Sequence, residues 1–108
     1  MVRPLISDFI EIGVDILNPV QYNLPDMDAI SLKKEFSNDL VFWGGGVDTQ
    51  SILSLKNPEI VRDEVRRQIE RLGERGGFVF ATVHNIQNDV PVENLNAMWE
   101  TIIQYGTY

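Results

Sequence analysis

Three stretches of the chain are apolar almost without interruption: Val14–Val20 (VDILNPV), Leu40–Gly46 (LVFWGGG) and Gly77–Val83 (GFVFATV). Near-continuous rather than alternating hydrophobicity marks strands covered on both faces, as in parallel sheets. Helical periodicity fills the intervals. Asn57 to Gly73 carries the clearest example: Val61, Val65, Ile69 and Leu72 share a face, Asn57 can cap, Pro58 suits the first helical position, and Gly73 suits a left-handed stop. Its acids Glu59, Asp63 and Glu64 come early and Arg66, Arg67 and Arg71 late, in agreement with the helix dipole. After Pro91, the residues Leu95, Met98, Trp99, Ile102 and Ile103 recur at helical spacing up to Gly106. A further helix is expected over Pro4–Ile12 with Gly13 as its stop, and a weaker one from about Asp26 to Phe36. Trp43 and Trp99 are expected in the core, and Tyr105 and Tyr108 to pack or fray at the tail.

The predicted order is α-β-α-β-α-β-α, an α/β pattern with a parallel sheet. Strand–helix–strand crossovers are right-handed in nearly all cases. Successive crossovers in one direction therefore place the helices on one face of the sheet and leave the other face bare. A closed eight-stranded barrel removes that difficulty by turning the bare face into a packed interior. The expectation is an arc of a barrel, formed by residues 1–108 as a single partial-barrel domain.

Composition narrows the function. The 108 residues carry a net charge of −7, opposed to nucleic acid and to anionic membrane surfaces, both of which attract basic footprints. There is no cysteine, hence no disulfide framework and no cysteine-based metal site, which suits a cytoplasmic protein. No apolar run approaches the roughly 18–20 residues of a membrane span, and Asp8 and Glu11 interrupt any signal-peptide core.

In parallel α/β folds, ligands bind at the carboxyl ends of the strands. Those ends read NPVQYN, GGGVDTQ and VHNIQND, all polar or glycine-rich, and all converging on one rim. Gly44, Gly45 and Gly46 fit either a backbone anion cradle or a tight strand-to-loop turn. No Lys-Ser or Lys-Thr follows them, which excludes a phosphate-binding P-loop. Asp48 can orient a substrate or move a proton, or it can cap the segment Thr49–Leu55. His84, the one histidine of the chain, is the leading catalytic candidate, since imidazole titrates near neutrality. The alternative is a histidine bonded to backbone beneath the last loop. Asn18, Gln21, Asn85 and Gln87 are candidate hydrogen-bonding partners for substrate.

GGGVDTQ followed by VHNIQNDVPVENL resembles the last two strands of the uroporphyrinogen decarboxylase superfamily, and IEIGVDILNPVQ its sixth strand. Gly45 to Thr49 fall where that family has Gly-Asn-Leu-Asp-Pro, and His84 where it has Gly-His-Gly. The resemblance implies the C-terminal arc of a (β/α)8 TIM barrel, with three parallel strands and flanking helices. It also implies that the chain starts just past a His-x-Cys-Gly motif. The family contains cofactor-free porphyrinogen decarboxylases and cobalamin-dependent methyltransferases, the latter using zinc and a corrinoid-protein partner. The wording of both motifs is more similar to the methyltransferase branch, which the resemblance implies for the parent enzyme. Some relatives carry a cysteine beside the last-strand histidine, where this chain has Val83, and zinc is not expected on this polypeptide alone. The rival expectation is an inactive module that hides its bare sheet face by self-association or by joining a missing N-terminal part.

Overall fold

The computed structural model describes residues 3–107; the expectation for Tyr108 lies outside them. A 3₁₀ turn, Arg3–Leu5, leads into helix α1, Ile6–Glu11. Strand β1, Ile16–Leu17, follows, then α2, Ala29–Phe36, and β2, Val41–Trp43. A π-helical turn, Thr49–Leu53, precedes α3, Pro58–Leu72; β3, Phe78–Val79, and α4, Val92–Tyr105, complete the chain. The expected alternation holds. The three strands form one parallel sheet in the order β1-β2-β3.

Local chemistry accounts for the helix boundaries. Asp28 accepts from Ser31 N–H to start α2, and Asn57 accepts from Ile60 N–H to start α3, each satisfying an amide the helix itself leaves open. Gly13, at φ +103°, turns the chain from α1 into β1. Gly73 departs from expectation. It stays right-handed at φ −83°, and the left-handed turn comes later, at Arg75, Gly76 and Gly77. A Cβ on Gly73 would collide with the Ile69 carbonyl oxygen, so glycine there serves close approach rather than handedness.

The pairing register sets which face is buried. Leu17 lies beside Phe42, and Phe42 beside Phe78. All three point into one hydrophobic cluster with Ile6, Leu32, Phe36, Val61, Val65, Ile69, Leu72 and Ala97 from the four helices. With a side-chain period of two, the opposite face carries Ile16, Trp43 and Val79, which remain 47%, 43% and 39% exposed. The bare face foreseen from crossover geometry is present, and it takes Trp43 out of the core.

Trp99 is corrected as well. It is 61% exposed, as is Ile103, because α4 turns its smaller residues Asn94, Ala97 and Thr101 inward against its neighbours. Buried Asn94 is affordable there because its amide donates to the carbonyls of Leu53 and Lys56. Leu95, Met98, Ile102 and Tyr105 pack half-buried beside the cluster. Among the described residues no helix is long and apolar enough to cross a membrane.

Candidate functional site

Because the strands are parallel, the loops after β1, β2 and β3 leave the sheet at the same end. Pairing continues past β2 and β3: Gly44 N–H donates to Val79 O and Gly46 N–H to Ala81 O, both at 2.9 Å, and Val83 N–H donates to Val47 O at 3.0 Å. Two of the three glycine amides proposed as an anion cradle are thereby spent on the neighbouring strand. The glycines instead allow close packing. Gly44 and Gly45 adopt φ +101° and +80°, and a Cβ on Gly45 would stand 3.0 Å from Val20 O. The carbonyl of Gly45 accepts from Gln68 Nε2 of α3 at 2.9 Å, and Gln68 is 1% exposed.

Asp48 is buried and fully engaged. Its carboxylate accepts from Gln50 N–H at 2.9 Å, Ser51 Oγ at 2.5 Å and Asn23 Nδ2 at 2.9 Å, and it caps the Thr49–Leu53 turn. Burial pushes its pKa up, but the bonds from Ser51, Gln50 and Asn23 together outweigh burial and hold the carboxyl below its ordinary value. Its backbone N–H donates to the Tyr22 hydroxyl at 3.0 Å. The structural alternative raised for Asp48 is thus in place: the carboxylate organises the loop.

His84 is exposed, and its backbone carbonyl accepts from Thr82 Oγ1. With Asn85, Gln87, Asp89, Thr49 and Gln50 it lines a cavity of about 60 Å³. Three of the candidates, His84, Asn85 and Gln87, therefore meet beside the turn that Asp48 caps, while the Asp48 carboxylate does not line the cavity. Asn18 and Gln21 sit elsewhere on the rim. Asn18 is exposed and lies beside Gly44, where a Cβ would come 3.7 Å from its Oδ1; Gln21 is half-buried.

The residues that sequence reasoning missed are the ones that hold the rim: Tyr22, Asn23 and Gln68, with Asp89 in the cavity wall. A signal existed for Gln68. It continues Val61 and Val65 toward Leu72 at i, i+4, i+7 and i+11, and a polar residue in an apolar stripe has a buried partner to find. Tyr22 and Asn23 close the NPVQYN segment, but their partners are distant in sequence.

A model of the uroporphyrinogen decarboxylase (URO-D) family matches residues 3–105. The chain belongs to the uroporphyrinogen decarboxylase family. A curated relative, the uroporphyrinogen decarboxylase of Methylococcus capsulatus, is 34% identical over 68 residues, which cover 63% of this chain and 19% of the relative. The match thus spans about a fifth of that relative's length. No solved structure matches the chain. The decarboxylase-family match runs across all three rim loops and the four helices behind them.

Proposed function

We propose that the chain is the C-terminal arc of a (β/α)8 barrel and supplies part of the substrate face of a URO-D-family enzyme acting on a carboxylated tetrapyrrole. The observation that carries this reading is the junction of His84, Asn85 and Gln87 with Thr49 and Gln50 at the carboxyl ends of β2 and β3, where parallel α/β folds bind ligands. The family match and the decarboxylase relative support it. Protonated or neutral, His84 can donate a hydrogen bond to a substrate carboxylate. The amides of Asn85 and Gln87 can add neutral donors without drawing in a metal.

Zinc does not fit these residues. A catalytic zinc takes three protein ligands, and among the described residues no three His, Cys, Asp or Glu side chains could hold a metal ion. His84 and Asp89 would be two donors at most. A corrinoid-dependent methyltransferase parent is the second reading, favoured by the wording of GGGVDTQ and HNIQNDVP; its zinc would have to come from residues outside this chain.

The test uses Trp43, which is exposed immediately before Gly44. In a Trp99→Phe background, uroporphyrin, the stable oxidised form of the decarboxylase substrate, is expected to quench Trp43 fluorescence. His84→Ala should weaken that binding about tenfold, in keeping with one charge-assisted hydrogen bond. Quenching by methylcobalamin and not by uroporphyrin would favour the methyltransferase reading. No response to either would leave the rim without its proposed ligand.

A self-associating module is a reading from another class, supported by the exposed Ile16, Trp43 and Val79 on the bare sheet face. Light scattering is expected to find oligomers that Trp43→Glu disperses. A monodisperse wild-type monomer at high concentration rules this out.

A further inference from the structure

Tyr22 and Asn23 are neighbours in the loop after β1, yet both reach the same residue of the next loop. Asn23 Nδ2 donates to the Asp48 carboxylate at 2.9 Å, and Asp48 N–H donates to the Tyr22 hydroxyl at 3.0 Å. Among nearby charges, that of Glu64 on α3 acts most strongly on the phenol. Glu64 is itself held by Arg67 Nη1 at 2.8 Å, with its side chain 12% exposed. The hydroxyl therefore joins two loops remote in sequence, the one after β1 and the one after β2. Burial, and then the Glu64 charge, raise the Tyr22 pKa well above that of an ordinary phenol, so the hydroxyl stays neutral at any working pH. One helical turn on from Glu64, Gln68 donates to Gly45 O, which attaches α3 to the same loop after β2.

We propose that Tyr22 is a positioning residue of the rim: its hydroxyl holds the Asp48 backbone and so sets where Thr49 and Gln50 stand beside His84. This rests on the reading of that cavity as part of the substrate face. Phenylalanine would keep the ring and its packing but lose the acceptor for Asp48 N–H. An amide stripped of a buried partner opens more readily.

The experiment is amide hydrogen exchange by NMR on the whole chain, comparing Asp48 with Val65 in the core of α3. Tyr22→Phe is expected to speed exchange at Asp48 about tenfold and to leave Val65 unchanged. An unchanged Asp48, or equal acceleration at both amides, overturns the proposal, the second result meaning a general loss of stability. If Tyr22→Phe does not fold, the wild-type chain serves instead. Its Asp48 amide should exchange at least about tenfold more slowly than a freely exposed amide of the same sequence context, and an unprotected Asp48 amide overturns the proposal equally. Uroporphyrin titration separates this inference from the one beneath it. If the wild-type chain binds none, the substrate-face reading falls and the exchange result alone decides for Tyr22. If it binds, Tyr22→Phe should weaken binding threefold or more, and unweakened binding overturns the positioning role.

Discussion

Phe42→Ala is expected to leave the chain largely unfolded under conditions where the wild type is native. Phe42 is fully buried in the central strand, with Leu17 and Phe78 beside it in register. The Lys33 ammonium lies 5.7 Å from its ring centroid. Truncating a buried phenylalanine costs about 3–5 kcal/mol in lost transfer energy and cavity, while an ordinary domain is stable by only about 5–15 kcal/mol. A short sheet that wets one apolar face has little reserve above the lower figure. Lys33 adds to the loss. Burial already holds its pKa below that of an ordinary lysine, and without the ring its charge is left to the Gly76 carbonyl and the Glu74 carboxylate. Urea titration is the measurement, with Trp43→Ala as the control. Trp43 is on the same strand but faces the other way, so its loss should cost well under half as much. Equal shifts of the two midpoints would falsify the assignment of the buried face.

The second large effect is expected at Asp48. Asp48→Ala strands the donors of Gln50, Ser51 and Asn23 at once, and hydrogen bonds to a charged acceptor contribute about 1.5–3 kcal/mol each in favourable cases. Because water can reach Asn23 and Ser51 after the change, about 2–3 kcal/mol in total is the expectation. The pH dependence has a definite sign. The folded pKa of Asp48 lies below its unfolded value, so its contribution is complete above the unfolded pKa of about 3.9 and is lost as pH falls from there through the folded value. Asp48→Asn removes the charge and keeps the shape. Its deficit relative to wild type, read from urea midpoints, should therefore be largest near neutrality and shrink at pH 3. A deficit that does not change with pH would mean that the carboxylate charge does nothing for this loop.

Asp48 also illustrates how the two levels of information divide. Its position before Thr49 was enough to offer a cap, since capping depends on residues two or three apart. That all its remaining acceptor capacity is used by Asn23 and Ser51, leaving none of the carboxylate in the His84 cavity, depends on a loop twenty-five residues earlier. The glycine run behaves similarly. Positive φ at Gly44 and Gly45 follows from residue type, whereas the commitment of the Gly44 and Gly46 amides to Val79 and Ala81 follows from strand pairing. Trp43 and Trp99 were misplaced because bulk and hydrophobicity say nothing about direction. A period of two turns Trp43 away from Phe42, and the closeness of α4 to its neighbours selects Ala97 and Thr101 for the inside.

Element order, the parallel character of the sheet, the capped start of α3, the bare face and the family were all legible in the chain, because each is a matter of short-range periodicity, capping chemistry, crossover geometry or motif wording. Long-range packing decided the rest: which face of each element is buried, that His84 joins Thr49 and Gln50 while Asn18 and Gln21 stand apart, and that Tyr22 and Gln68 hold the rim. Those contacts join residues more than twenty positions apart, and no local rule specifies which distant partner a buried polar group will meet.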